Sequence, residues 1–480
     1  MSSSSTSIPT LLPLTLPPPP SFPLPTLSLR SPQSADFIPL STLGWTLSTH
    51  AFPAAYPRTR DRCARKLRGK GVESPPIAPW KKDEESKASL QDVVPIIDGT
   101  RERTAEMLRR VKVEDLEEEG LWMCANRYWK KDLDEEARRG GVTIVFGHAN
   151  GMHKETWEPA IASLLRTIQT RNPDLIISEI WSLDHVQQGD AALLNEGRLG
   201  DVHDWLDSGR DFIQFMLRYL PSIEKRPKHS DSFLLPCEDD RSIIDLHSDP
   251  VPSTALPFRG RTIVGVGHSL GGCATALASS VHPSIYSQII LVDPVLTPNP
   301  TPIPFNRDPH VLGMTESALR RKDFWSSPTD ARAYFAAKPF FAAWDTRILD
   351  FYIRYGLVET SEKEKKDGLK GREGLRLKTR REQEAFVFAD RFKRSEGAYN
   401  RFQTVPSSLP VHIHFADVGR SHLKEELVEM MKKVTPNATW TRARSGIGHL
   451  AVQEDPEGTG ETIADVIMRM SRRRSLRGKL

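Results

Sequence analysis

The chain has 480 residues, 38% hydrophobic and 27% charged, which is enough apolar sequence for one large globular domain or two ordinary ones and rules out general disorder. Lys and Arg number 66 against 62 Asp and Glu, and six of the bases (Arg469, Arg472, Arg473, Arg474, Arg477 and Lys479) stand in the last twelve residues with no acid among them. The rest is nearly neutral and offers nucleic acid no broad basic face. Cys63, Cys124, Cys237 and Cys273 lack paired spacing, so disulfide-scaffold, zinc-ribbon and redox-motif readings fall away; no run approaches the ~20 apolar residues of a membrane helix, and a soluble protein without a transmembrane segment is expected.

Residues 1–35 are rich in Ser and Pro, with Pro at 9, 13, 17–20, 23 and 25 and no charge before Arg30, which reads as a disordered tail. From residue 36 onward, unbroken apolar runs recur at Val142–Phe146, Leu175–Ile180, Thr262–Val266, Ile289–Val292 and Val411–Phe415, with Ala438–Ala443 after the last. Continuous rather than alternating runs imply strands buried on both faces, the pattern of a parallel sheet covered by helices. Several spacings between runs match a strand, a helix and two turns, so βαβ repetition is expected.

Two longer gaps imply insertions. Residues 221–259, rich in Pro, Asp and Ser, read as a surface excursion within a first core part at 36–296. Residues 297–408 read as a helical cap in which Phe324, Trp325, Tyr334, Phe335, Phe340, Phe341, Trp344, Phe351, Tyr352 and Tyr355 are concentrated; most should form the cap's own core and a minority should line a pocket. Residues 409–468 complete the core, and 469–480 form a basic tail that should stay extended and solvated.

The chemistry is signalled by Gly267-His268-Ser269-Leu270-Gly271, directly after a strand run and before a helical stretch. A nucleophile on a tight strand-to-helix turn needs small neighbours, and the helix start points free N–H groups at the hydroxyl and at any oxyanion formed there. Serine requires a base. His449, in the Gly-flanked loop Ser445-Gly-Ile-Gly-His449-Leu, follows a late strand and comes after the serine in chain order. Two acids end strands where they can orient that imidazole, Asp293 and Asp417. The amides of Asn150, in the loop after Val142–Phe146, and of Leu270 are the expected oxyanion donors. His148 and His153 lack a carboxylate or thiolate at ligand spacing, so neither metal nor cofactor is expected.

With these residues in place, the sequence resembles the α/β-hydrolase superfamily over nearly everything from Asp36 onward. Gly267-His-Ser-Leu-Gly-Gly looks like its nucleophile elbow, Gly147-His-Ala-Asn-Gly like its oxyanion loop, and Gly448-His449-Leu like its histidine loop. His148-Ala-Asn-Gly-Met-His-Lys-Glu with Trp157-Glu-Pro resembles the fungal branch holding peroxisomal lipases and hydrolases of toxin biosynthesis. The resemblance implies an α/β fold with a mostly parallel central sheet flanked by helices and a helical cap insertion. The family's usual Gly-x-x-Asp after the seventh strand is replaced here by Ala416-Asp417-Val418-Gly419, which favours Asp293 as the acid, with Asp417 as the alternative.

The expected activity is that of a serine hydrolase cleaving an ester, thioester or lipid-like acyl substrate through a Ser-His-Asp triad and an acyl-enzyme. A carbon-carbon bond hydrolase or an acyltransferase of secondary metabolism would use the same groups, and an inactive hydrolase-fold binding protein is the reading from another class. Gly478-Lys479-Leu480 resembles a Ser-Lys-Leu peroxisomal address read by the import receptor, so the peroxisomal matrix is expected, with the cytoplasm as the alternative.

Overall fold

The computed structural model describes residues 8, 10–17, 27–31, 33–58, 66–67, 116–117, 120–130, 132–196, 198–199, 203–222, 232–247, 261–296, 309–360, 373–389, 394–434 and 438–477. Its centre is an eight-stranded sheet of β1 (Trp45–Pro53), β2 (Trp122–Lys130), β3 (Val142–Gly147), β4 (Ile177–Asp184), β5 (Thr262–His268), β6 (Gln288–Val292), β7 (Val411–Phe415) and β8 (Thr439–Arg442), in the spatial order β8-β7-β6-β5-β3-β4-β2-β1. From β4 to β8 all neighbours are parallel, while β2 runs antiparallel to both β4 and β1.

The unbroken apolar runs bury both faces by alternation along each strand. Val145, Ile263, Ile289 and Leu291 point into one core, and Ile144, Phe146, Val264, Val266, Ile290 and Val292 into the other. The helices α1 (Glu158–Arg171), α2 (Trp205–Gln214) and α3 (Leu270–Val281) supply the covering layers, with α2 and α3 on the first face and α1 on the second. β1 and β2 carry polar residues between their apolar ones and gave no such run.

The expected cap is partly helical. It contains α4 (Pro309–Arg320), α5 (Pro328–Ala336), α6 (Thr346–Gly356) and α7 (Arg381–Ala389), but also a three-stranded antiparallel sheet of Phe324–Trp325, Leu375–Leu377 and Leu357–Glu359. Trp325, Phe335, Phe341, Trp344 and Tyr352 are buried together, and the cluster reaches Ala149 and Met152 of the loop after β3. The helix α8 (Arg394–Phe402), inside the expected cap range, instead packs Ala398, Tyr399 and Phe402 into the sheet core beside α2 and α3.

Two terminal expectations need correction. Part of the segment expected to be disordered is ordered: Leu14–Thr15 pairs with Ile243–Ile244, Leu11 and Leu14 are buried, and the Arg30 guanidinium pairs with Glu158 while lying over the rings of Phe37, Phe351 and Tyr355. Proline forbids helix there but not an extended strand whose leucines find a core. The described part of 221–259 returns to the sheet, since the Ala51 amide donates to Phe233 O (2.7 Å) and Leu235 N donates to Ala51 O (3.0 Å), covering the β1 edge. At the other end, the arginines are not in an extended tail: α9 (Pro456–Arg477) carries them in a helix that packs along α1. Gly478-Lys479-Leu480 lies outside the described residues.

Candidate active site

β5 ends at His268, α3 begins at Leu270, and Ser269 between them has φ 55° and ψ −114°. This positive-φ turn lifts the side chain clear of both elements. A Cβ on Gly267 would strike the carbonyl of Gly271, and one on Gly271 would strike the carbonyl of Gly147 at the end of β3, so both close approaches require glycine. The turn is pinned by Ser269 N donating to Val292 O (3.1 Å), Val295 N to Ser269 O (3.2 Å) and Gly271 N to His148 O (3.1 Å).

The parallel register brings the ends of β5, β6 and β7 side by side, and three sequence-distant groups meet there. Ser269 Oγ lies 3.0 Å from His449 Nε2, and His449 Nδ1 lies 2.6 Å from Asp293 Oδ2. The carboxylate of Asp293 has no exposure, whereas the His449 side chain is 26% exposed. Oδ1 of Asp293 accepts from Ala416 N (3.1 Å) and Ser421 Oγ (2.8 Å). Burial alone would raise the Asp293 carboxyl, but hydrogen bonds from His422 and His449 outweigh it and hold the group well below the usual carboxylate range. The acid therefore stays ionised beside the His449 imidazole.

Of the two candidate acids, the structure brings only Asp293 to the ring of His449. Asp417 serves the histidine loop from outside: Oδ2 accepts from Gly446 N (2.7 Å), Oδ1 from Val418 N (2.8 Å), and its own amide donates to Ile447 O (2.9 Å). Among the described residues the main-chain amides of Asn150 and Leu270 meet no acceptor, as oxyanion donors must. The Asn150 side chain is engaged, donating from Nδ2 to Glu384 O (3.1 Å) and accepting from Gln188, which anchors the loop after β3 to α7 of the cap. His148 and His153 do not converge. His153 Nδ1 contacts Glu155 Oε2 at 2.8 Å, and His148 Nδ1 contacts Ala149 O at 2.9 Å.

Two residues at the site went unsignalled in the sequence. His268 Nε2 donates to the main-chain carbonyl of His449 at 2.8 Å, and burial, with the neighbouring His449, pushes the His268 imidazole down to about 3, so it remains neutral. His422 Nδ1 lies 3.1 Å from both Asp293 Oδ2 and His449 Nδ1. The motif pattern treats His268 as a variable position, and His422 is a lone histidine after β7 with no neighbour in sequence to mark it.

A cleft of about 250 Å³ opens elsewhere, lined by Asp36, Glu158, Arg347, Phe351 and Arg354 rather than by Ser269 or His449. No described helix is long and apolar enough to cross a membrane.

Comparison with known proteins agrees with this fold. The model of the alpha/beta hydrolase family matches residues 144–461. An acyl-CoA thioesterase of Penicillium roqueforti is 26% identical over 214 residues, covering 45% of this chain and 39% of that protein. The peroxisomal membrane protein LPX1 of Saccharomyces cerevisiae is 26% identical over 155 residues, 32% of this chain and 31% of its own. An abhydrolase domain-containing protein of Alternaria alternata, AFT2-1, is 36% identical over 95 residues, 20% of this chain and 33% of its own. The matches thus span less than half the length of these curated relatives. Among solved structures, the peroxisomal alpha-beta-hydrolase Lpx1 of Saccharomyces cerevisiae superposes with a TM-score of 0.58 over 88% of both chains at 17% identity.

Proposed function

Because the chain belongs to the alpha/beta hydrolase family, we propose that it is a serine hydrolase of ester, thioester or lipid-like acyl bonds, with Ser269, His449 and Asp293 as its triad. What supports this most is the continuous contact from Ser269 Oγ through both nitrogens of His449 to a buried, ionised Asp293. In this reading Ser269 Oγ attacks the acyl carbonyl as His449 Nε2 takes its proton, and Asp293 holds the ring and stabilises the imidazolium. The amides of Asn150 and Leu270 receive the oxyanion. Collapse expels the alcohol or thiol, which takes the proton from His449. Water, deprotonated by His449, then attacks the acyl-enzyme, releases the acid and regenerates Ser269.

The name of the Penicillium relative supports placing thioesters within the substrate class. Carbon-carbon hydrolysis and acyl transfer differ only in substrate pocket and acceptor, so they become outcomes of a substrate panel. The name of the Saccharomyces relative supports the peroxisome as the compartment, with Gly478-Lys479-Leu480 engaging the import receptor.

A fluorophosphonate tests the mechanism directly. Folded wild-type protein should acquire one adduct on Ser269, while Ser269→Ala should acquire none and lose roughly three or more orders of magnitude of turnover on acyl esters or thioesters at unchanged melting temperature. Folded wild-type protein that takes no label is a binding protein and ends this reading.

A further inference from the structure

The three atoms Asp293 Oδ2, His449 Nδ1 and His422 Nδ1 form a triangle with edges of 2.6, 3.1 and 3.1 Å. Hydrogen bonding satisfies its two oxygen edges but leaves the nitrogen-nitrogen edge without a bond. Each neutral imidazole places at most one hydrogen on Nδ1 and the carboxylate supplies none. If both Nδ1 atoms carry hydrogen, both donate to Oδ2 and the nitrogen-nitrogen edge sets two N–H groups against each other. If His422 Nδ1 is bare, its lone pair faces the carboxylate oxygen across 3.1 Å, because His449 spends its hydrogen on the shorter contact. One edge is repulsive in either arrangement.

A dication resolves all three edges at once. We propose that Asp293, His422 and His449 form a binding site for a zinc ion whose occupation switches the serine off. Two imidazoles and one carboxylate, with a fourth position for water, are a donor set that zinc accepts in tetrahedral geometry. An ion at the usual zinc–ligand distance of about 2.0–2.1 Å from each atom would sit about 1 Å off the plane of the triangle, and the Asp293–His449 edge would open to about 3.3 Å to reach a tetrahedral angle. The rings of His422 and His449 are inclined by 64°, so their planes intersect as those of stacked rings would not. Asp293 is also held from behind, since Ala416 N and Ser421 Oγ donate to its Oδ1, Ser421 Oγ lying 3.0 Å from Oδ2 as well. The other cluster of metal-ligating side chains among the described residues, Cys124, Asp184 and Asp190, already holds a cation, because Lys154 Nζ lies 2.9 Å from Asp184 and 2.6 Å from Asp190.

Occupation has a defined chemical consequence. With Nδ1 bonded to zinc, the single hydrogen of each imidazole must reside on Nε2. For His449 that nitrogen faces Ser269 Oγ at 3.0 Å and, carrying a hydrogen, can no longer accept the serine proton. The switch rests on the proposed hydrolysis, but the site itself does not.

Binding is therefore measured first in Ser269→Ala, where turnover plays no part. Titration of zinc chloride against a chromogenic zinc chelator should show that this variant binds one equivalent more than Ser269→Ala with His422→Ala. His422→Gln, which keeps the bulk of the side chain, should behave as His422→Ala, with circular dichroism confirming the fold of each. Anomalous diffraction at the zinc edge from Ser269→Ala crystals should place an ion on the three named atoms. In the wild type, zinc should suppress turnover, a chelator should restore it, and magnesium should do neither; the residual turnover of His422→Gln should need at least about tenfold more zinc for half inhibition. Equal zinc stoichiometry with and without His422, or an anomalous map empty at the triangle, overturns the site. Zinc bound there with hydrolysis unaffected overturns the switch alone.

Discussion

The Nε2–H of His268 donates to the main-chain carbonyl of His449 at 2.8 Å, so the residue preceding Ser269 holds the loop that carries the imidazole. Serine and histidine are thereby tied twice, through Ser269 Oγ and through this buried strut. Misplacing a reacting group by about 1 Å can cost about 100-fold in rate. His268→Phe, which fills the space but cannot donate, should lower kcat by about tenfold to a hundredfold with a smaller change in KM, and should slow fluorophosphonate labelling of Ser269 in parallel. Kinetics equal to wild type would show that the loop needs no strut.

Asp293→Asn and Asp417→Asn should separate sharply. Asp293 contacts Nδ1 of His449, and an amide there favours the wrong tautomer, which costs up to ~10⁴ in turnover in triads of this kind. Asp417 only braces the loop, its carboxylate accepting from Gly446 N, so its replacement should leave kcat within about tenfold and show itself as a lower melting temperature. Steady-state kinetics and thermal melts on both variants decide the assignment, which reverses if Asp417→Asn is the silent enzyme.

Stability should fall as pH drops from 6.5 toward 4. Burial pushes His203, His268 and His412 down to about 3 and His414 to about 4, each from an ordinary value of 6.5. Below 6.5 the unfolded chain binds protons that the native one refuses, so ∂ΔG/∂pH is positive and each such group costs about 1.4 kcal/mol per pH unit until its native value is reached. Glu158, pushed up to about 7 by burial against the pull of Arg30, and Asp211, raised by its burial, oppose this. Urea melts at pH 7.5, 6.0 and 5.0 should give steadily lower midpoints, and His412→Gln should flatten the slope. Constant midpoints would contradict the neutral buried imidazoles.

A fluorescent reporter ending in residues 469–480 should collect in peroxisomal puncta, since a small residue, a base and an aliphatic side chain with a free carboxylate are what the import receptor reads. Two residues added after Leu480 should disperse it. A diffuse signal from the unextended reporter would make the cytoplasm the compartment.

The doubly buried strands were legible because both of their faces meet helices, and that burial writes itself as an unbroken apolar run: Val411–Phe415 was read to the residue. The elbow was legible for a local reason, since the backbone approaches at Gly267 and Gly271 exclude every other residue type. The histidine loop was legible through its glycines and its place in the chain order. Less could be read where partners lie far apart in the chain. Leu14 and Arg30 look like parts of a solvated tail until Ile244 and Glu158 are brought beside them.

By itself, the sequence determined the fold class, the strand-to-helix turn at Ser269 and the histidine that faces it, because backbone crowding and two-sided burial act on neighbouring residues and leave a local pattern. The preference for Asp293 over Asp417 came only from family likeness. Tertiary structure alone set Asp293 on the ring, turned Asp417 into a brace, made His268 a strut and brought His422 to the same carboxylate. These depend on which strand ends adjoin in the β5-β6-β7 register and on where a hydrogen-bonding atom points over about 3 Å, and neither quantity has a period or a spacing in the chain.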